Sequence, residues 1–411
     1  MFDKIPRKRL KWIKGSFIEL ARFLFRSEDQ KNITLFEHQF AKMIGSKYAI
    51  SVDSGRAGLR IILDALGLEK GDEIILSAYN SPIVPLVLKE MGIKPVFADI
   101  HPETLNMELN EIRRRLTPRT RAILVLHTEG QPSDINRILA FAKNHHLFVI
   151  EDCAHAVLAE VSGKKAGSFG DASFFSFGIG KHINTLGGGM VLTNKKSLYL
   201  KIKTRIAQSI RTRRKKHTQI IKGFLKAYLA HIATKPLFFS TLVFPIIRVF
   251  RFFNKDVVYD LYKDKSHHQD KVRKKETLPA FQLSSFQAWL GLQQLKELGN
   301  DVLKRRRNAE YLTEHLRNMR KLSFQKLVKG AKGSFLEFMI LTPERDKAIK
   351  NLLKNGVDSQ KPWLKCCAQA TSDCNFVNAH RAENQGVYLP VYAQLERKEL
   401  DRIIKALRQS Y

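Results

Sequence analysis

Residues 174–190 of the 411-residue chain read FFSFGIGKHINTLGGGM, and this stretch decides the fold. An apolar run ends at Ser176, Lys181 follows five residues later in a glycine-rich turn, and three glycines then lead into another apolar segment. A lysine in such a turn is typical of an amine that forms an imine with a carbonyl compound. A serine hydroxyl beside it suits a bound phosphate. Because the chain has 71 lysines and arginines, the surrounding sequence must decide whether Lys181 has this role.

An acidic residue precedes this stretch, at the end of another apolar run. Residues 147–152 end in Asp152, and His155 follows three residues later. The combination indicates pyridoxal 5′-phosphate (PLP), which works as an electron sink when an aspartate keeps its ring nitrogen protonated. Asp152 would pair with the ring nitrogen and keep it protonated. Lys181 would form the imine and carry a proton between substrate and cofactor. The alternative is that Asp152 only caps the following helix.

Strand patterns alternate with helical periodicity through the first 152 residues. Strands are predicted at 48–52, 73–76, 95–99, 121–127 and 147–152, with helices at 55–66 and 135–145. Units of this length predict an α/β fold with a mostly parallel central sheet and helices on both faces. Ligands bind beyond the carboxyl ends of such strands, so the site is predicted where four segments meet: 54–57, 79–80, 127–130 and 152–155.

Length and composition favour a cytoplasmic protein with more than one domain. A chain of 411 residues exceeds the size at which a single core stops growing, so a large and a smaller domain are expected. Four cysteines do not make a disulfide framework, and none has zinc-ligand spacing, so no metal site is predicted. The basic N-terminus lacks the apolar core of a secretory signal, because Glu19 and Arg22 interrupt it.

The formal charge of +32 attracts polyanions, and its location narrows the choice. No acidic residue occurs from Lys201 to Lys255, and the same stretch holds the apolar run 236–247. An anionic membrane surface would satisfy both features, and a phosphate-bearing metabolite would satisfy the charge. Nucleic acid is not an expected partner, because no helix-turn-helix, zinc or RNA-binding motif accompanies the basic run.

Further motifs stand in a recognisable order around residues 174–190: SGRAGL (54–59), GDEII (71–75), KPVFADI (94–100), HTEGQP (127–132), FQAWLG (286–291) and LPVY (389–392). On these motifs the chain resembles the DegT/DnrJ/EryC1/StrS family of PLP-dependent sugar aminotransferases. The resemblance implies the aspartate-aminotransferase-like PLP fold (fold type I) and a homodimer. It also implies a division into a large PLP-binding domain at 36–204 and 279–300 and a small C-terminal α/β domain at 301–411.

The resemblance assigns roles to individual residues. Lys181 matches the imine-forming lysine, Asp152 the partner of the pyridine nitrogen, and Ser176 the hydroxyl that bonds the phosphate. His155 matches the polar residue at the phenolic side of the cofactor. Two structural alternatives remain, because His155 could hydrogen-bond within the core and Ser176 could simply end its strand.

The segment Gly55, Arg56 and Ala57 matches the turn that receives the phosphate. It opens a predicted helix, where backbone N–H groups and the helix dipole favour an anion. Arg56 stands where Ser or Thr is common, and either binds phosphate as a cation or points to solvent.

Two departures from the family pattern affect the predicted site. Relatives often stack an aromatic ring on the cofactor two residues beyond Tyr79, where this chain has Ser81. Tyr79 is predicted to bind the cofactor instead, with His127 or no residue as the alternatives for stacking. Relatives also supply an Asn and an Arg from the neighbouring subunit, where residues 280–283 read AFQL, which puts that phosphate contact in doubt.

Dehydratases of the same family carry histidine in place of the lysine, so His182 is a second candidate. Five residues after Ser176 the chain has Lys181, and a histidine cannot form the imine, so an aminotransferase is predicted. The predicted reaction moves an amino group from glutamate to a keto group of a nucleotide-activated sugar, for cell-surface polysaccharide or lipopolysaccharide synthesis. The alternatives are an aminotransferase for a lipid-linked substrate and a non-catalytic PLP-binding regulator.

Residues 205–278 are predicted to be an insertion that interrupts the resemblance. A basic run at 211–216 is followed by helical apolar spacing at 220–232 and a largely apolar stretch at 238–253. The uncharged part is shorter than the roughly twenty residues of a membrane span, so an interfacial element on the inner face of a membrane is predicted. The basic amphipathic segment 1–35 would add a second such helix at 12–25. The alternative is that these helices pack on the catalytic domain or on a second subunit.

Overall fold

The computed structural model describes residues 3–25, 30–210, 217–253, 256, 282–368 and 375–411. The predicted basic run at 211–216 lies outside the described ranges. So do residues 254–255 and 257–281, which include the end of the predicted insertion. The described residues form a large domain around one sheet, a smaller C-terminal α/β unit, and a helical segment that covers the cavity between them.

The central sheet has seven strands: β1 (Tyr48–Val52), β2 (Glu73–Ser77), β3 (Lys94–Ala98), β4 (Thr120–Leu126), β5 (Phe148–Asp152), β6 (Ala172–Ser176) and β7 (Gly189–Thr193). Their order across the sheet is β1-β7-β6-β5-β4-β2-β3, and only β7 runs against the other six. The mostly parallel sheet predicted from the sequence is therefore confirmed. The carboxyl ends of six strands meet at one edge.

Helices cover both faces of this sheet and also occur in the described parts outside it. They are α1 (Ser16–Phe25), α2 (Gln30–Ile44), α3 (Gly55–Leu66), α4 (Ile83–Glu90), α5 (Leu109–Arg114), α6 (Ile135–Asn144), α7 (Lys196–Ile210), α8 (His217–Ala233), α9 (Pro236–Phe238), α10 (Phe244–Phe252), α11 (Ser285–Leu316), α12 (Arg345–Lys354), α13 (Val377–Gln385) and α14 (Arg397–Arg408). Residues Phe239–Val243 form a π-helical turn between α9 and α10. Ile123 and Leu124 of β4 are fully buried, as expected for a central strand with helices on both faces.

The C-terminal unit packs helices on a small antiparallel sheet. Its strands are β8 (Ser323–Phe324), β9 (Phe338–Leu341) and β10 (Gly386–Leu389), with β9 in the middle. Two-residue strands pair elsewhere, at Glu160–Val161, Lys164–Lys165 and Ala331–Lys332, and at Tyr79–Asn80 with Lys365–Cys366. Helix α11 is continuous across residues 300 and 301, and its two halves contribute to the cores of both units. The helix starts with a capping box formed by Ser284 and Gln287.

Helices α8 to α10 fold over the cavity and pack against the N-terminal helix. Leu20 and Phe23 of α1 bury against Ile220 and Phe224 of α8, together with part of α11. No single helix in the described ranges is long and apolar enough to cross a membrane. By length and composition alone, that test is met only by α8 taken together with Pro236–Phe252, which is bent from it by 73°.

The N-terminal arm, residues 3–14, crosses from the small domain to the cavity. Ile5 is fully buried and pairs with Val357. Arg7 donates to Asp358 at 2.7 Å and to Asp256 at 3.0–3.1 Å, so one guanidinium joins the arm, the segment after α10 and the small domain. The side chains of Arg7 and Asp358 are 5% and 2% exposed, which makes this a buried ion pair.

Candidate active site

A cavity of about 1060 Å³ opens at the carboxyl edge of the central sheet. Its lining includes six of the eight predicted site residues, which the chain brings together from three separate segments: Gly55, Arg56, Asp152, His155, Ser176 and Lys181. The cavity thus lies where the ends of parallel strands predicted a ligand site.

One end of the cavity is the start of α3. The Ser54 hydroxyl caps this helix by accepting from the Ala57 N–H at 3.2 Å, so the Ala57 N–H is already engaged by the protein. Ser176 ends β6 beside it, since a Cβ built on Gly55 would lie 3.2 Å from the Ser176 Cβ. A Cβ on Gly189 would meet the Phe175 carbonyl oxygen at 2.3 Å, so only glycine lets β7 pass here. Backbone N–H groups and a hydroxyl therefore converge on an anion-sized space.

Lys181 stands in the turn after β6, and its backbone N–H donates to the Gly178 carbonyl at 3.1 Å. Burial, and after it the charge of Lys8, lowers the pKa of its amine from 10.5 to about 8. The carboxylates of Asp152, Glu129 and Glu337 oppose both effects. At neutral pH a usable fraction of the Lys181 amine is therefore unprotonated, as a nucleophile requires.

Asp152 ends β5 and is 4% exposed. Its Oδ1 accepts from the Ala154 N–H at 3.0 Å. Burial raises the pKa of the carboxyl to about 6, against this hydrogen bond and the charges of Lys181 and His127. A buried carboxyl with one backbone donor is suited to hold a further cationic N–H group in the cavity.

Glu129 contacts His155 without lining the cavity itself, and no role was predicted for it from the sequence. It is fully buried, its backbone lies at φ +56°, and its Oε1 accepts a hydrogen bond from the Tyr388 hydroxyl. Its Oε2 lies 3.2 Å from Nδ1 of His155. Burial raises the pKa of Glu129 to about 7 and lowers the pKa of His155 well below its usual value. A left-handed backbone at a non-glycine residue is a strained feature that often marks a functional site.

Tyr79 lies beside Tyr388 and Glu129 but does not line the cavity. Its side chain is fully buried, and its hydroxyl lies 3.7 Å from the Met339 sulfur, in a core on the far side of its short strand. The neighbouring Asn80 and Ser81 line the cavity instead, because successive side chains of a strand point to opposite faces. Ala57 also lies outside the lining, and Arg56 belongs to it.

His127 does not line the cavity either. Its Nε2 lies 3.0 Å from Glu151, and its Nδ1 accepts from the Ser133 N–H at 3.1 Å. Glu151 also accepts from three backbone N–H groups of the 167–170 turn. With Cys153, these two residues are close enough to hold a metal ion. The ligand atoms of His127 and Glu151 are instead occupied by hydrogen bonds, which fix the turn before β6.

Lys8 enters the site from the N-terminal arm, and no local pattern in the sequence pointed to it. Its amine forms an ion pair with Glu337 and donates to the Gly180 carbonyl at 3.2 Å. The pair ties the arm and the start of β9 to the turn that carries Lys181. Opposite the strand ends, helices α8 to α10 complete the wall of the cavity.

Comparison with known proteins gives a consistent picture. The profile of the DegT/DnrJ/EryC1/StrS aminotransferase family matches residues 22–228 and 260–408, which leaves 229–259 unmatched between them. GDP-perosamine synthase of Caulobacter vibrioides is 28% identical over 389 residues, covering 92% of this chain and 89% of that protein. The spore coat polysaccharide biosynthesis protein SpsC of Bacillus subtilis is 42% identical over 168 residues, covering 41% of this chain but less than half of SpsC, at 43%.

Among solved structures, a GDP-4-keto-6-deoxymannose-3-dehydratase with a trapped PLP-glutamate geminal diamine has a TM-score of 0.76. The match covers 98% of this chain and all of that chain at 22% sequence identity. At this identity the likeness concerns the fold, and it confirms the predicted fold.

Proposed function

The chain belongs to the DegT/DnrJ/EryC1/StrS aminotransferase family, and we propose that it is a PLP-dependent enzyme that transfers an amino group to a keto sugar. The observation that carries the proposal is the convergence of Lys181, Asp152 and Ser176 on one cavity at the start of α3. These side chains come from separate segments, yet each offers the group that PLP chemistry requires at that position.

The residues fit the cofactor. Ser176 and the backbone at Gly55 and Arg56 would hold its phosphate, in a space kept open because Gly55 has no Cβ. Asp152 would accept a hydrogen bond from its protonated ring nitrogen. His155 lines the cavity and would contact the phenolic oxygen, while its Nδ1 lies 3.2 Å from Glu129.

Bound PLP would supply an electron sink for the carbon that gains or loses the amino group. Lys181 would move the proton at that carbon, because its pKa of about 8 lets the amine accept and return a proton near neutral pH. The charge of Asp152 would keep the ring nitrogen protonated throughout. The wall contributed by α8 and α10 would exclude water from these steps.

The acceptor is a sugar activated through phosphate, for which a nucleotide-linked keto sugar is the first candidate. The names of the relatives, a GDP-perosamine synthase and a polysaccharide biosynthesis protein, support this substrate and a role in cell-surface polysaccharide or lipopolysaccharide synthesis. Glutamate is the proposed amino donor.

The proposed assembly is a homodimer that works in the cytoplasm, in peripheral contact with the inner face of the membrane. Exposed apolar side chains on α10 support the contact, since Ile246 and Val249 are 52% and 58% exposed. Lys235 and Arg248 are exposed beside them, in a stretch without acidic residues. In a two-fold dimer this face would meet its own positive charge, so an anionic membrane suits it better than a second copy.

The experiment that tests the proposed function follows both half-reactions. Protein loaded with PLP is mixed with excess glutamate, and 2-oxoglutarate is expected in an amount equal to the bound cofactor, with loss of the visible absorption band. Adding a nucleotide-linked 4-keto sugar should return the band and give an amino sugar by mass spectrometry. Failure to form 2-oxoglutarate, or loss of water from the sugar without retained nitrogen, would contradict the aminotransferase.

A further inference from the structure

The cavity has two unlike walls, and the proposed reaction accounts for one of them. Its volume of about 1060 Å³ lies at the upper end of the usual range for ligand sites, about 300–1,000 Å³. The strand ends and the start of α3 supply the polar wall. Opposite them, residues 217–252 line the cavity with seven apolar side chains, among them Leu225, Leu229, Val243 and Ile247.

This apolar wall is closed at its inner end and open at its outer end. Phe239 and Ile247 are 2% and 4% exposed, so they form a packed floor. Leu225 and Leu229 lie one turn apart on α8 and are 50% and 66% exposed although they line the cavity. An apolar path therefore leads from the site to the protein surface, where an exposed leucine pair needs an explanation.

Basic side chains lie on the same wall. Lys222 and Lys226 line the cavity from the helix that carries the two leucines. Among the described residues of 217–252, the polar side chains at the cavity are these lysines and Thr234. Lysines suit phosphate as point charges. A nucleoside base is read by amides, carboxylates or stacked rings. Among the described residues of 217–252, this wall offers one ring, the buried Phe239, and otherwise aliphatic carbon.

We propose that the cavity binds its keto sugar with a hydrocarbon chain attached through the anomeric phosphate, the chain lying along α8 and the π-helical turn. The proposal rests on the proposed function for the reaction at Lys181 and departs from it in the carrier of the sugar, which is a hydrocarbon chain in place of the nucleotide named there as first candidate. The carbonyl reaches the polar wall, the phosphate lies near Lys222 and Lys226, and the chain leaves past Leu225 and Leu229. The unmatched stretch 229–259 supplies Leu229, Val243 and Ile247 of this wall, while Lys222, Leu225 and Lys226 lie within the residues that the family profile matches.

Binding measurements without turnover test the assignment. Calorimetry on PLP-loaded protein compares farnesyl diphosphate, kept below its micelle concentration, with GDP, UDP and inorganic diphosphate. We expect farnesyl diphosphate to bind at least tenfold more tightly than either nucleotide. Equal or tighter binding of a nucleotide would overturn the proposal and leave the proposed function standing.

A matched pair of variants locates the chain. The double variant Leu225→Gln, Leu229→Gln keeps side-chain size on a half-exposed face, and should weaken farnesyl diphosphate at least tenfold while inorganic diphosphate binds as before. Leu303→Gln is the control, since Leu303 is 43% exposed on α11 and lies outside the cavity lining. Unchanged farnesyl binding in the double variant would overturn the proposal.

Sedimentation of the same proteins measures their oligomeric state and tests whether the two leucines belong to a subunit interface. If the double variant changes the oligomeric state and leaves farnesyl binding intact, the leucines belong to a subunit interface and the proposal is wrong. If the proposed aminotransferase activity is wrong, glutamate will give no 2-oxoglutarate. The calorimetric preference between farnesyl diphosphate and the nucleotides can still be measured in that case.

Discussion

The polar wall and the helical wall of the cavity are built in different ways. The polar wall is fixed by backbone: strand ends, a helix start and glycines at 55 and 189 leave its side chains little freedom. The helical wall is fixed by side-chain packing, and by the Arg7 ion cluster that ties the segment after α10 to the small domain. Side chains of the helical wall can therefore be exchanged, and substrate recognition altered, while the polar wall keeps the geometry that the reaction needs.

The largest difference between the two walls is expected on substitution of Lys181, which should abolish turnover without affecting ligand binding at the helical wall. Lys181→Ala removes the amine that moves the proton, so turnover should fall by at least about 10⁴-fold, measured as amino-sugar formation. Binding of farnesyl diphosphate should remain within about threefold, because the helical wall is untouched. Lys143→Ala, at an exposed position of α6, is the control and should behave as wild type. Retained turnover in Lys181→Ala would break the comparison.

The next effect concerns the tie between the walls. Arg7→Met leaves Asp358, which is 1% exposed, without its main partner, so the free energy of unfolding should fall by about 3–5 kcal/mol. Urea denaturation measures it. Lys326→Met breaks an exposed pair with Glu103 and should cost less than about 1 kcal/mol. Equal losses in the two variants would mean that the Arg7 cluster does not hold the helical wall.

The stability of the protein should depend on pH through Glu129, which lies beside His155 of the polar wall. The pKa of Glu129 rises from 4.5 to about 7 on folding, so the folded state binds more protons between these values. Stability should therefore fall as pH rises from about 4.5 to about 7, by on the order of 2 kcal/mol from this group. Glu129→Gln should flatten that part of a Tm-against-pH curve. An unchanged slope would place the titration in another group.

The smallest effect is expected on the outer side of the helical wall. Ile246→Ser with Val249→Ser removes two exposed apolar side chains, and should weaken binding to phosphatidylglycerol vesicles by about 1–2 kcal/mol in co-sedimentation. Leu303→Ser is the control. Turnover without vesicles should not change. Equal binding of all three proteins, or no preference over phosphatidylcholine vesicles, would contradict the membrane contact.

Local patterns were enough to predict the sheet and much of the polar wall. The helix predicted at 55–66 has those bounds, and the strand predicted at 121–127 is Thr120–Leu126. The strand pattern placed Asp152 at the ligand edge, and the structure shows that Ser176, whose role was matched through the family resemblance, ends a strand running the same way. Such features are local because strand periodicity and chain order determine them.

Other parts depend on contacts that a sequence pattern does not carry. Tyr79 and Asn80 form a two-residue strand, and its pairing with Lys365–Cys366 decides which of them turns toward the cavity. Lys8 meets Glu337 only because the arm crosses the small domain. Apolar spacing at 220–232 predicted a helix, and the structure adds that one face packs on α1 while Leu225 and Leu229 reach the cavity.

The Arg7 cluster also bears on the order in which the molecule can assemble. Arg7 is synthesised well before its partner Asp358, which lies 351 residues further along the chain. Contacts of such sequence separation form late, because a very long loop must close before they stabilise anything. The central sheet can therefore form around residues 48–193 while the arm is still unattached. A nascent chain would keep its cofactor site accessible until the C-terminal unit has been synthesised, and the closing of the arm would be the last step of maturation.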